Sequence, residues 1–174
     1  MSRNPIVARV QSRAPEPASE AEAIKDLLRE AFARWASGVT VVAVDDGDGV
    51  QAMVASAFTP VSLDPPLVLV CLNRHAGILP SIRETGSFAI SVLGEEQRGV
   101  ASRVASGIAL DASLLEGGEA PVPRGALASM VCTLEAVHPG GDHEIVVGAV
   151  TRVELGTPSA PLIYHARGYS RLAE

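Results

Sequence analysis

The sequence predicts a mainly β fold with short helices, its strands paired antiparallel and its sheet closed into a barrel. Three observations carry this. Beyond Gly38, apolar residues recur with period two or in short β-branched runs rather than at helical spacing. Turn chemistry, in Asp45-Asp46-Gly47-Asp48-Gly49 and Pro139-Gly140-Gly141-Asp142, separates runs closely enough to form hairpins, and hairpins pair antiparallel. A sheet of this many antiparallel strands commonly closes on itself to remove its edges. The strand–helix alternation of a doubly wound fold is missing.

The elements follow in order. Residues 1–20, with Pro5, Pro15 and Pro17 and little periodicity, read as a mobile tail, a basic targeting peptide being the alternative. One domain is expected over 21–174. Ile24, Leu27, Leu28, Ala31, Phe32 and Trp35 fall at helical spacing, so 21–37 is predicted helical. Ser19 or Glu20 is placed to open this helix and Gly38 to close it, and Trp35 reads as a core anchor. Strands are predicted at Val39–Val44, Val50–Ser56 and Leu67–Leu72, with Pro65-Pro66 halting the chain before the last. Ile78–Glu84 reads as a short helix, where Pro80 is tolerable only near the first turn. Phe88–Leu93 is another strand and Glu95–Ala105 a second amphipathic helix. Residues 106–124, with Gly117-Gly118, Pro121 and Pro123, suggest a surface excursion. Leu127–Val137 and Glu144–Leu155 form a long hairpin, and 160–172 a last hairpin arm.

Composition sets bounds on function. The 174 residues are 47% hydrophobic but only 3% aromatic, so the core must be built from Val, Leu, Ile and Ala. A net charge of −6 with no Lys/Arg cluster in the body of the chain argues against a nucleic-acid partner. No run of about 18 apolar residues exists, so no membrane span is expected. Cys71 and Cys132 lie in apolar runs and read as buried thiols of a cytoplasmic protein; a disulfide is the alternative, which the spacing does not ask for.

Most chemical motifs are missing. His138 and His143 flank a turn without metal-ligand spacing, so no metal is expected. There is no GxSxG, and the cysteines have no neighbouring base. GxGxxG is absent, so any dinucleotide must bind in another way. What remains is Met53-Val-Ala-Ser-Ala-Phe-Thr-Pro-Val-Ser-Leu-Asp-Pro-Pro66, which places Ala55-Ser56-Ala57 at a strand end. Small side chains there would let a planar heterocycle reach backbone N–H and C=O groups, with Ser56 and Thr59 adding hydroxyls. A small-residue strand crossing explains the same pattern.

These residues resemble a known family. Trp35-Ala-Ser-Gly-Val-Thr-Val-Val42, the segment just quoted, Leu67-Val-Leu-Val-Cys-Leu-Asn-Arg74, Phe88-Ala-Ile-Ser-Val-Leu93, Gly141-Asp-His143 followed by Val147-Gly-Ala-Val150, and Gly168-Tyr-Ser-Arg-Leu172 are similar, in order, to motifs of the flavin reductase-like split-barrel proteins. The resemblance implies a Greek-key split barrel forming a homodimer. It implies NADH- or NADPH-dependent reduction of FMN or FAD, with reduced flavin passed to a separate monooxygenase. Carried over residue by residue, Ala55, Ser56, Ala57 and Phe58 would line the flavin ring. Ser62, Cys71, Leu72, Asn73 and Arg74 would flank its ribityl and phosphate. His143 would sit by the nicotinamide and flavin, and Tyr169 and Arg171 on the rim. Such a site needs no strong acid or base, because the cofactors carry the electron chemistry.

The chain departs from the family where Ala76 and Ile78 replace hydroxyl residues expected to grip the flavin phosphate; Pro60 and Ser91 replace a Ser and an Asn. The losses favour FAD, or a flavin that binds loosely as a substrate. They also motivate an alternative, a flavin carrier without reductase turnover; a third reading is an oxidase or oxygenase of the same barrel type acting on its own organic substrate.

Overall fold

The computed structural model describes residues 18–110, 114–116 and 120–172. The chain divides into two compact units, one ending at Trp35 and one beginning at Ala36. In the first, α1 runs Ala18–Ala33. It opens earlier than the sequence suggested, so Ser19 and Glu20 lie in its first turn, and it stops short of Gly38. Two i,i+3 pairs decorate it, Lys25 to Glu22 and Arg29 to Asp26, both at 2.6 Å and both exposed; such pairs are worth a few tenths of a kcal/mol. Trp35 is 75% exposed and is not the core anchor expected of it. Among the described residues of its unit, the helix has no other element against which to bury a face. The expected 1–20 tail falls mostly outside the described residues.

The second unit holds β1 (Ser37–Gly38), β2 (Thr40–Asp45), β3 (Val50–Ala55), β4 (Phe58–Leu63), β5 (Pro66–Asn73), α2 (Ile78–Thr85), β6 (Ser87–Val92), α3 (Arg98–Ala105), β7 (Leu115–Glu116), β8 (Val122–Pro123), β9 (Ala128–Gly140), β10 (His143–Leu155), β11 (Ile163–His165) and β12 (Gly168–Ser170). Seven strands form one antiparallel sheet in the order β3-β2-β6-β9-β10-β5-β4. Its edge strands, β3 and β4, are joined by only Ser56 and Ala57. Seven flat strands would hold their edges roughly 29 Å apart, whereas the link spans at most about 11 Å. The sheet therefore curls until its edges meet at Ser56–Ala57, and this junction is the split of the barrel.

β2 shows why the β-branched run is continuous. Val42 and Val44 point into a core with Val70, Leu72, Phe88, Ile90 and Val146, to which α2 adds Ile78, Leu79 and Ile82. Val41 and Ala43 point the other way, into a second cluster with Val39, Leu93, Ala101 of α3 and Leu162. Both faces of the strand are covered, so alternation gives way to an unbroken apolar stretch. Pro80 is the third residue of α2, within the first turn, and Gly86 ends that helix at φ 65° with its N–H on the Ile82 carbonyl at 3.0 Å.

Four further expectations are corrected. β4 was not foreseen as a strand; it tolerates Pro60 because it is a sheet edge. The 95–105 segment begins as a 3-10 turn, Glu95–Gln97, before α3. Within 106–124, Ala120–Pro123 are buried, Ala120 and Val122 packing with Ala89 and Val131, so part of the excursion is a lid on β6 and β9; Gly117-Gly118 lie outside the described residues. The segment 160–172 is a complete hairpin, β11–β12, that pairs with β1.

Candidate active site

The seam places the first group of candidate residues. Ala55 is buried at the end of β3, and the buried Thr40 hydroxyl donates to its carbonyl at 2.7 Å, fixing the strand end. Ser56 and Ala57 follow, both exposed. The Cys71 N–H donates to the Ala57 carbonyl at 2.9 Å, so the seam touches the far half of β5. Phe58 is half-buried and packs against the inner core. Thr59 is exposed, its hydroxyl donating to the Pro60 carbonyl at 3.2 Å.

β5 carries the second group. Cys71 is half-buried; Leu72 is fully buried, so only its main chain can meet a ligand. Asn73 is exposed and its Oδ1 accepts the His75 N–H at 2.9 Å. Asn73 pairs with His143, the first residue of β10, and the Arg74 N–H donates to the Asp142 carbonyl at 3.0 Å. Arg74 and His143 thus face one cleft of about 280 Å³, shared with Arg83 and Glu144, whose ion pair is 2.6 Å long. The two-residue turn before His143 is possible because Gly141 takes φ 74°. Ser62 stands apart. It pairs with Leu67, six residues before Asn73, hence about 20 Å away at the rise of a strand.

A larger cavity of about 590 Å³ has Ser56 in its lining. Val39, Met53, Val54 and Val104 give it apolar walls; Arg98, Arg167, Tyr164 and Tyr169 give it charge and phenols. The two tyrosine rings meet edge-on at 6.0 Å. Burial pushes the Tyr169 hydroxyl above its ordinary pKa, Tyr164 adds to this, and Arg98 opposes it. Tyr169 also borders a 320 Å³ cavity with Arg171, Glu95 and Glu96. Sequence reasoning missed Thr40, Arg98, Tyr164 and Arg167. Arg167 follows Ala166 through a turn in which both take positive φ, 50° and 64°, a conformation in which Asn and Gly are the residues one would seek.

The donor set suits a flat, phosphate-bearing aromatic ligand. Small exposed side chains at the seam leave main chain accessible, the adjoining cavity falls in the size range of small-molecule sites, and guanidinium groups line both that cavity and the Arg74–His143 cleft. Among the described residues there is no His/Cys/Asp/Glu cluster able to hold a metal and no helix long and apolar enough to cross a membrane. Cys132 is buried and its thiol is pushed up to about 12, so it is no nucleophile.

Fold and site together define a curled antiparallel barrel with a nucleotide-sized site at its seam. Residues 32–173 match the flavin reductase like domain, and the chain belongs to that family. It is 46% identical over 153 residues to the reductase component of 4-hydroxyphenylacetate 3-monooxygenase of Thermus thermophilus, covering 86% of this chain and 97% of that one. It is 40% identical over 151 residues to an NADH-dependent flavin reductase of a Rhodococcus species, covering 83% and 85%. Among solved structures it is similar to NADH:FAD oxidoreductase SgcE6 of Streptomyces globisporus in complex with NAD and FAD fragments, with TM-score 0.81 and 30% identity over 91% of this chain and 98% of the other.

Proposed function

We propose that this protein is the reductase component of a two-component monooxygenase. It would take electrons from NADH or NADPH onto FMN or FAD and release the reduced flavin to a separate oxygenase. The observation that carries this reading is the junction of Ser56–Ala57 with Cys71–Arg74 and His143 through the Cys71–Ala57 hydrogen bond and the Asn73–His143 pairing. Residues far apart in sequence meet on one ledge, with main chain at one end and a guanidinium and an imidazole at the other.

The bound flavin and nicotinamide supply the hydride chemistry. The chain's residues bind and orient. Ser56 and Ala57 present main-chain groups to the polar edge of the ring. Arg74 compensates phosphate charge. His143 holds the nicotinamide side of the pair, and Tyr169 and Arg171 border the rim. Exposed apolar side chains on β4 and β10, among them Leu63 at 96% and Leu155 at 81% exposure, support assembly as a homodimer. The two free thiols suit the cytoplasm.

The test is NADH and NADPH oxidation followed by absorbance with each flavin in turn. His143→Ala should lower turnover roughly tenfold while moving flavin affinity less. No acceleration by the wild-type chain over buffer would favour a flavin carrier. One observation speaks for loosely held flavin. Ile78 is buried in the inner core and Ala76 packs against it, so the start of α2 offers no hydroxyl. Separate titrations should therefore show FMN bound no more tightly than FAD; submicromolar binding that requires the FMN phosphate would refute this.

A further inference from the structure

Asp142 reaches Arg74 and His143, two of the polar residues of the cleft. Its carbonyl accepts the Arg74 N–H at 3.0 Å, and its Oδ1 lies 2.7 Å from His143 Nδ1. The His143 hydrogen bond, with smaller help from the charges of His143 and Arg74, holds the Asp142 carboxyl below the usual carboxylate range. An ionised carboxylate has no proton to give. The hydrogen in the 2.7 Å contact therefore belongs to Nδ1. In its neutral form the imidazole carries only one ring hydrogen, so Nε2 is bare in that form.

We infer, resting on the reading of the cleft given above, that Asp142 is a positioning residue that holds neutral His143 as the Nδ1–H tautomer, so that Nε2 meets the bound nicotinamide nucleotide as an acceptor for its carboxamide N–H. Two consequences follow from the chemistry. A bare nitrogen repels an anion, so His143 orients an amide and does not balance phosphate charge. That charge falls to Arg74, since Arg83 is already bridged to Glu144 at 2.6 Å. The main-chain bond to Arg74 does not depend on the Asp142 side chain, so a substitution there releases the imidazole and leaves the Arg74 N–H bonded.

Two measurements test this. The first is long-range 1H–15N NMR of the imidazole rings of the wild-type protein near pH 8, where an ordinary histidine, of pKa about 6.5, is neutral; His143→Ala identifies the signals. His143 should carry its hydrogen on Nδ1, and in Asp142→Ala it should move to Nε2, while Asp142→Asn, whose amide oxygen accepts the same bond, retains the Nδ1–H form. The second compares KM for NADH with that for its 3-acetylpyridine analogue, which keeps the carbonyl but has no amide N–H. The wild type and Asp142→Asn should prefer NADH by roughly five- to tenfold, a single hydrogen bond's worth; Asp142→Ala and His143→Ala should lose the preference. A hydrogen on Nε2 in the wild-type protein, or a preference that survives in Asp142→Ala, overturns the assignment. Should the chain oxidise no nicotinamide nucleotide with any flavin, the reductase reading and the amide contact fall together, and the NMR pattern still decides whether Asp142 sets the tautomer.

Discussion

Replacing Gly148 by alanine should loosen the barrel at a defined point. A Cβ there would lie 2.6 Å from Phe88 Cζ and 2.8 Å from Cys132 Cβ. Carbon atoms settle at about 3.5–4.0 Å, so the new methyl overlaps both neighbours by roughly 1 Å. Neither can retreat easily, since Phe88 and Cys132 are fully buried and packed in the inner core. β10 already shifts register between Val147 and Gly148, and it is the strand that must give. Overpacking of this kind costs about 1–3 kcal/mol. For a chain of this size each kcal/mol moves the melting midpoint by about 2–4 °C, so the expected drop is about 2–12 °C by circular dichroism. Phe88→Leu removes the outer ring atoms, so the Gly148→Ala/Phe88→Leu pair should cost less than the sum of its parts by about 1 kcal/mol. An unchanged midpoint in Gly148→Ala, or strict additivity in the pair, would refute the steric account. His143 opens the same strand, so NADH oxidation should fall along with stability.

Ser91 and Ser129 share a buried hydrogen bond of 2.9 Å between β6 and β9; Ser91→Ala strands the Ser129 hydroxyl and should cost about 1–3 kcal/mol in urea unfolding, whereas Ser91→Ala/Ser129→Ala should recover part of it. With its thiol near 12 and no exposure, Cys132 should resist iodoacetamide at pH 8 in the folded protein while half-buried Cys71 reacts first, as mass spectrometry of peptides would show. The Ser81 hydroxyl and the Gln51 amide both donate to Asp46, at 2.7 and 2.6 Å, and hold its carboxyl below its ordinary 3.8. A depressed folded-state pKa stabilises above the unfolded value and is lost as pH falls through the folded one. The advantage of wild type over Asp46→Asn in thermal midpoint should therefore be present at pH 7 and shrink as the pH falls below 3.8.

Local pattern made most strands legible, because period and turn residues act within a few positions. The run Val39–Val44 announced a strand, and Asp45–Gly49 the hairpin that follows; that both faces of the strand are covered emerges only from the fold. What was not legible depended on partners. β4 hides behind Pro60, and only its place at the sheet edge makes that residue acceptable. Trp35 and the apolar stripe of α1 promised burial, but periodicity states which face is apolar, not what covers it. Buried Ala120–Pro123 could not be told from a loop, since their covering role exists only once β6 and β9 are side by side. The site divides in the same way. The Ala-Ser-Ala signature and Gly141-Asp142-His143 were visible as motifs. That both adjoin the end of β5 is a matter of register, and Arg98 and Arg167 carry no local signal of their own.

The split itself explains why small residues stand where they do. A closed barrel would pair its last strand with its first along their length and leave no main chain over. Here β3 ends its pairing at Ala55 and β4 begins at Phe58, so Ser56 belongs to neither ladder and Ala57 offers its carbonyl to Cys71. Unpaired main chain is costly when buried and dry. It can be tolerated where solvent or a ligand completes it, and a bulky side chain at 56 or 57 would prevent both. The topology thus leaves, between the two edge strands, a place where a polar-edged ring can pair with backbone, and Thr40 stiffens that place through the Ala55 carbonyl. The same geometry that forces the sheet to curl therefore also leaves main chain accessible at Ser56–Ala57, where the proposed flavin contact lies.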